Sequence, residues 1–196
     1  MKLYSNYYMK QLKELHVRKD RPRGFGGKIK PLGMFDKYMI DWNPSTALDY
    51  GCGKGVILNH LKEKYVNTAW EGYDPAVSEY SIITKNKYDL VFSNDVLEHI
   101  EQEFLSNVLT HLDTLAQNFV WLRIDTQPAR KSLSDGRNAH LSLYPKEWWQ
   151  IQVQEHIKQK QKQNRMDITH MYCLITHTIV VVTERLIQKV MSSHMK

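Results

Sequence analysis

The sequence predicts an α/β fold, a doubly wound and mostly parallel sheet that ends in an antiparallel hairpin. Three observations predict it. From residue 46 onward, short apolar segments of strand length alternate with segments of helical periodicity. The glycine turn Asp49-Tyr50-Gly51-Cys52-Gly53-Lys54-Gly55 joins a strand directly to a helix. The last two apolar segments, Met166–Leu174 and His177–Thr183, lie too close together for a crossover and must pair antiparallel. Alternating strand and helix units place helices against a parallel sheet, and the final hairpin adds one reversed strand.

Each element follows from its own pattern. Tyr4, Tyr8, Leu12 and Leu15 recur at helical spacing, which predicts a helix over 4–17. The breaker-rich run Arg21-Pro22-Arg23-Gly24-Phe25-Gly26-Gly27 predicts a loop after it. A short helix over Met34–Ile40 is expected to stop at Asn43-Pro44. Ala47-Leu48-Asp49-Tyr50 is a strand, Val56–Tyr65 a helix, Thr68–Tyr73 a second strand and Tyr88–Ser93 a third. Over Glu101–Gln117, the residues Phe104, Leu105, Val108, Leu109, Leu112, Leu115 and Ala116 form one apolar stripe, the mark of an amphipathic helix. Phe119–Ile124 returns as a strand. Pro145 suits the first position of a further helix that carries Trp148, Trp149, Ile151 and Val153, with the Trp148–Trp149 pair read as core and rim rather than as a substrate platform.

Composition narrows the classes. With 42% hydrophobic and 24% charged residues among 196, the chain can bury a core, which excludes a disordered or fibrous protein. No apolar run reaches the roughly 18 residues of a membrane span and the start lacks a signal-peptide core, so a cytoplasmic protein is expected. Cys52 and Cys173 lie far apart, which argues against a disulfide framework or a cysteine metal cluster. Of the net charge of +6, all the excess falls in residues 1–30, where Lys2, Lys10, Lys13, Arg18, Lys19, Arg21, Arg23, Lys28 and Lys30 face only Glu14 and Asp20. Such a cluster attracts phosphate or carboxylate; its bland alternative is a solvated helical face and loop. The chain divides into an N-terminal helical and basic cap, 1–43, and a ligand-binding domain, 44–196.

The glycine turn and the acid after it carry the functional signal. Glycines are required where backbone turns sharply from strand to helix and where a ligand touches main chain. A dinucleotide fingerprint would place its third glycine at Val56, and a phosphate loop would need Ser or Thr after Gly53-Lys54, where Gly55 stands. Asp74 closes the second strand roughly 20 residues after Gly51, the offset at which a carboxylate accepts hydrogen bonds from ribose hydroxyls. The ligand is therefore expected to carry a ribose without necessarily a phosphate.

These residues resemble a known family. Leu48-Asp49-Tyr50-Gly51-Cys52-Gly53-Lys54-Gly55 looks like motif I of the Rossmann-like, S-adenosylmethionine-dependent class I methyltransferases. Gly72-Tyr73-Asp74-Pro75 resembles their second-strand acidic motif, and Tyr88–Ile100, with Val96-Leu97-Glu98-His99, their fourth strand and its tail. The resemblance covers 45–125, runs loosely to the terminal hairpin and does not reach 1–40. It implies S-adenosyl-L-methionine as cofactor, bound by Asp49, Tyr50, Gly51, Gly53, Asp74, Pro75, Asn94 and Asp95. Asp49 would hold its amino-acid end, Asp74 its ribose, and Asn94 and Asp95 would lie beside its methionine portion. Only residues 75–87 separate Asp74 from Tyr88, too few for the family's helix and third strand, so that edge strand is expected to be reduced or missing and the adenine contacts are unassigned.

Catalytic candidates are His140 and His99. His140 falls in the loop after the Phe119–Ile124 strand, and imidazole can exchange a proton near neutral pH. Asp95, Glu98 and His99 form an acid-x-x-Glu-His pattern, and similar tails bind a divalent metal in some quinone-related O-methyltransferases. We assign Glu98 instead to capping and packing just after the strand, and expect no metal. Asn94-Asp95-Val96-Leu97 lacks the proline turn of amino-methylating DNA enzymes, and Cys52 is committed to the glycine turn rather than to a nucleophile loop. A small-molecule acceptor, sugar-, lipid- or metabolite-like, is the first expectation. The alternatives are RNA held through residues 1–30, a non-catalytic cofactor-binding module, and a nicotinamide oxidoreductase, which Val56 opposes.

Overall fold

The computed structural model describes residues 1–17, 33–162, 170–175 and 178–183. The expected 21–27 loop and most of the basic cluster, Arg18 to Lys30, lie outside the described residues. The elements run α1 (Asn6–Val17), α2 (Met34–Trp42), β1 (Thr46–Tyr50), α3 (Val56–Lys64), β2 (Ala69–Tyr73), β3 (Tyr88–Asn94), α4 (Leu105–Leu115), β4 (Ala116–Ile124), α5 (Lys146–Lys162), β5 (His170–Ile175) and β6 (Thr178–Thr183). They form one sheet of order β2-β1-β3-β4-β5-β6. Every neighbouring pair is parallel except β5 with β6, which closes the chain as an antiparallel hairpin.

Successive side chains of a strand point to opposite faces, and both faces of this sheet are covered, which is why its strands read as nearly continuous apolar runs. Tyr88, Val91, Val120 and Leu122 pack with Leu109 and Leu112 of α4 and Trp149 and Val153 of α5. Leu90, Phe92, Trp70 and Trp121 point the other way, onto Phe35 and Met39 of α2 and Leu58 and Leu61 of α3. The sheet is doubly wound, as its alternation predicts. Trp149 is fully buried, while Trp148 lies at the rim, stacked on Tyr144 with ring centroids 3.9 Å apart.

One segment departs from the sequence reading. The Glu101–Gln117 stripe does not form one helix. A 3-10 turn, Gln102–Phe104, precedes α4, and Ala116 leaves the helix directly as the first residue of β4, in register with Tyr88. Leu115 and Ala116 keep their buried positions without continuing the helix, because apolar burial does not distinguish the last turn of a helix from the first residue of a strand. The 75–87 segment, by contrast, is as expected: between β2 and β3 the chain makes only a 3-10 turn, Ser78–Tyr80, so β2 is the edge of the sheet and the third edge strand is missing.

Parallel pairing aligns the carboxyl ends of β1, β2, β3 and β4 along one edge. Asp49 lies opposite both Gly72 and Phe92, and Asn94 opposite Arg123. Gly51, Asp74 and Asp95 therefore leave the sheet side by side, where open α/β sheets hold their ligands. Among the described residues, no helix is long and apolar enough to cross a membrane.

Candidate functional site

The glycine turn is stitched to the end of β2. The amides of Gly51 and Cys52 both donate to the Tyr73 carbonyl, at 2.7 and 3.1 Å. The Gly53 amide donates to Asp74 Oδ2 and the Ala76 amide to Asp74 Oδ1, each at 2.9 Å. Asp74 thus holds the turn and its own loop, with Pro75 between them. Gly51, Gly53 and Gly55 take φ of 84°, 55° and 75°, a left-handed region that glycine enters without a Cβ clash. The space a side chain would need is already filled by this chain. A Cβ on Gly51 would meet Val96 Cγ2 at 2.4 Å, and one on Gly55 would meet the Tyr80 hydroxyl at 2.6 Å.

Asp49 stands beneath the turn, 3% exposed. Its Oδ2 has no hydrogen-bond partner among the described residues. Burial, reinforced by the neighbouring Asp74 carboxylate, pushes its pKa up to about 8. On β3 alongside, Ser93 Oγ and Asn94 Oδ1 are also buried and unpartnered among the described residues. Leaving such groups unsatisfied costs about 1–3 kcal/mol each; Asp49 and Asn94 share one face of the sheet and form a short polar row that a ligand can satisfy, whereas Ser93 turns to the other face. Tyr50 does not join the row. Its hydroxyl lies 3.0 Å from His111 Nδ1 on α4 and its ring packs on Tyr73, so only its main chain faces the turn. Asp95 has φ 55°, its amide donates to the Arg123 carbonyl at 2.9 Å, and its Oδ1 sits 3.5 Å from Arg123 Nε. That carboxylate is directed toward β4.

A second group of polar side chains lies along the same edge. Glu98, His99 and His140 each offer one donor atom, and the three atoms fall within 4.8 Å of one another. Hydrogen bonds between two loops bring them together. The Ser142 amide donates to the Glu98 carbonyl at 2.9 Å and the Ser142 hydroxyl to the Ile100 carbonyl at 2.7 Å, while within its own loop the His140 amide donates to Asn138 Oδ1 at 2.9 Å. His99 Nδ1 lies 2.7 Å from the Ala139 carbonyl, and His140 Nδ1 lies 2.5 Å from the Gln127 carbonyl. A carbonyl can only accept, so each ring donates from Nδ1, and a neutral ring so held keeps its lone pair on Nε2. The rings meet edge to face, 4.6 Å between centroids. Burial, then the adjacent His140, pushes His99 down to about 3, so it is neutral at pH 7.

Glu98 caps no helix, contrary to the role its sequence position suggests. It sits in a 3-10 turn, Leu97–His99, fully buried, and its Oε1 accepts from the Asp125 amide at 3.2 Å, just past the end of β4. Its Oε2 has no partner among the described residues. Burial, with Asp95 next in effect, raises its pKa well above the usual carboxylate range. One carboxyl and two imidazoles whose second nitrogens are held by carbonyls are a donor set that a divalent cation can use.

α1 lies across this edge with a partly polar buried face: Tyr8, Gln11, Leu15 and His16. The Ser5 amide and hydroxyl both donate to the Glu101 carboxylate, each at 2.7 Å. Arg137 Nη2 donates to Gln11 Oε1 at 3.3 Å. Tyr8 and Leu15 pack with Leu133 and Ala139 in a small core of their own. Sequence reasoning placed His99 and His140 on one edge but had no signal for their contact. It also missed Tyr8, Glu101 and Tyr80, whose roles depend on packing between distant segments.

The family model described as Methyltransferase domain matches residues 17–171, most of the chain. No curated protein matches it closely enough to count as a relative.

Proposed function

Because the chain belongs to the methyltransferase-domain family, we propose that it transfers a methyl group from S-adenosylmethionine to a small-molecule acceptor, sugar-, lipid- or metabolite-like. The observation that carries this reading is the Asp49 carboxyl, buried beside the glycine turn and Asp74 with one oxygen unpartnered among the described residues. A ribose and a cationic amino-acid end fit these residues. Asp74 spends one bond per oxygen on Gly53 and Ala76, and its remaining lone pairs can accept from ribose hydroxyls. Asp49, once ionised, is the acceptor for an ammonium, with Asn94 on the same face of the sheet.

When bound, the donor supplies a methyl group on a cationic sulfur. Asp49 and Asp74 would hold that donor, and its methyl would pass to the acceptor's heteroatom with the carbon–sulfur electron pair left on sulfur. Holding donor and acceptor in line supplies much of the rate. His140 is assigned the acceptor's proton. Its Nδ1–H is fixed on the Gln127 carbonyl, which leaves the Nε2 lone pair to take a proton. His99, neutral and 4.6 Å away, lines the same subsite. Closure of this group by α1 and by the segment after β4 favours a small acceptor over RNA held through residues 1–30.

The donor set of Glu98, His99 and His140 favours a second reading of that group alone, a divalent cation that would orient the acceptor. Activity lost on chelation and restored by one metal would replace the general base with this reading.

Calorimetry with S-adenosylmethionine and S-adenosylhomocysteine, with NADH as control, tests the whole proposal. Asp74→Ala should weaken both sulfur ligands at least tenfold, about 1.4 kcal/mol. Failure of the wild type to bind either one would sink the methyltransferase reading, and binding of NADH in their place would favour a dinucleotide enzyme.

A further inference from the structure

Nothing in the glycine turn or in the strand ends accounts for Tyr8. It comes from α1, outside the region of resemblance, yet it is 1% exposed and its hydroxyl has no hydrogen-bond partner among the described residues. Its position is pinned from two sides. The Ser5 hydroxyl accepts from the Tyr8 amide at 3.0 Å while donating to Glu101, which follows the Leu97–His99 turn closely. One turn further along α1, Gln11 is held by Arg137, and Tyr8 packs in one small core with Ala139, whose carbonyl accepts the hydrogen bond from His99 Nδ1. The side chain therefore sits over the carboxyl edge of the sheet, between Glu101 after β3 and the segment after β4 that carries Leu133 and Ala139.

We propose that Tyr8 is a binding residue of the methyl-donor pocket, its hydroxyl donating a hydrogen bond to the carboxylate of the donor's methionine half. This rests on the S-adenosylmethionine reading above. The charge pattern of the ligand supports it. Asp49 and Asp74 suit the ammonium and the ribose hydroxyls, which are donors, whereas the ligand's carboxylate is an acceptor that those two, once ionised, cannot serve. Tyr8 brings an O–H. Burial and the nearby Glu101 and Asp74 carboxylates raise its pKa, so the phenol keeps its proton at any pH at which the protein works. A buried hydroxyl left unpaired is a cost to the folded state, and donating to a carboxylate removes that cost with a charge-assisted bond.

Two ligands separate this role from simple packing of α1. S-adenosylhomocysteine carries the carboxylate, whereas 5′-methylthioadenosine keeps the adenosine and thioether but lacks the amino-acid end. Calorimetry on Tyr8→Phe should show S-adenosylhomocysteine weakened about tenfold and methylthioadenosine unchanged. Asp74→Ala, which removes the ribose acceptor, should weaken both. Ligand-free Tyr8→Phe should unfold at or above the wild-type temperature, because the ring stays and the unpaired hydroxyl goes. Equal weakening of the two ligands would reduce Tyr8 to a packing residue and overturn the proposal, as would unchanged S-adenosylhomocysteine binding. A wild type that binds neither ligand would overturn the donor reading first, and the Tyr8 assignment with it.

Discussion

Asp49 is the residue whose environment most constrains the site. Its unfolded-state pKa is near the usual aspartate value of about 3.9, and burial beside Asp74 raises it to about 8 in the folded protein. A raised folded pKa contributes stability that is fully present below the unfolded value and is lost as pH rises through the folded one. Thermal unfolding of the ligand-free protein should therefore show Asp49→Asn gaining on the wild type as pH is raised from about 5 to about 9. A gap that stays constant over that range would contradict the buried, protonated carboxyl. An ammonium needs the ionised form, so donor binding must expel the proton. Affinity for S-adenosylmethionine should fall by about tenfold per pH unit below neutrality, and Asn at this position should remove both the slope and most of the affinity. Spacing made Asp49 and Asp74 legible in the sequence, since a glycine turn and an acid at the end of the next strand are local patterns. Glu98 was not legible. Nothing in Val96-Leu97-Glu98-His99 says that its carboxyl will be buried on the Asp125 amide, because that contact depends on where β4 ends. If His140 takes the acceptor's proton, His140→Ala should lower kcat by about 100-fold or more while leaving S-adenosylhomocysteine binding intact. Loss confined to KM would assign it to acceptor binding alone.

Among the elements, strands and helices long enough to show a period were readable, and three-residue turns were not. Ser78–Tyr80, Leu97–His99 and Gln102–Phe104 have no period to detect, yet they shape the site. The short 75–87 segment illustrates this. Its length predicted the loss of a strand, but not what the remaining chain does. Tyr80 folds back so that its carbonyl accepts from the Asp74 amide at 2.8 Å and its hydroxyl lies over Gly55. The glycines were expected to leave room for a ligand. At Gly51 and Gly55 the room is taken by Val96 and Tyr80, so these two positions join the turn to its neighbours. Gly51→Ala should destabilise the fold by about 2–4 kcal/mol in chemical denaturation, from the positive φ and the clash together. Val96→Ala on that background should recover part of the loss by removing the clash, and the φ term should persist. Full recovery would mean that backbone strain at Gly51 is negligible.

At the scale of the molecule, the question is how the N-terminal helices belong to the rest. The sequence separates a cap, 1–43, from a domain, 44–196, because resemblance fades and basic charge accumulates there. Packing gives the two helices different attachments. Phe35 of α2 is fully buried, its ring centroid 4.7 Å from Phe92 and 5.2 Å from Trp121, so α2 covers one face of the sheet as α3 does. α1 is tied down by the Ser5–Glu101 and Gln11–Arg137 bonds and by the small Tyr8, Leu15, Leu133 and Ala139 core, apart from the two faces of the sheet. Truncating a buried aromatic costs about 3–5 kcal/mol, whereas one hydrogen-bonded clamp is worth about 1–3. Phe35→Ala should therefore lower the single unfolding transition of the whole chain and weaken donor binding only through lost fold. Ser5→Ala should barely move that transition, yet amide exchange in α1 should quicken, because local opening draws on the bonds that hold one element rather than on the global core. A separate, low-temperature transition in Phe35→Ala would show that the cap boundary at residue 43 is also a folding boundary; its absence would place α2 inside the domain.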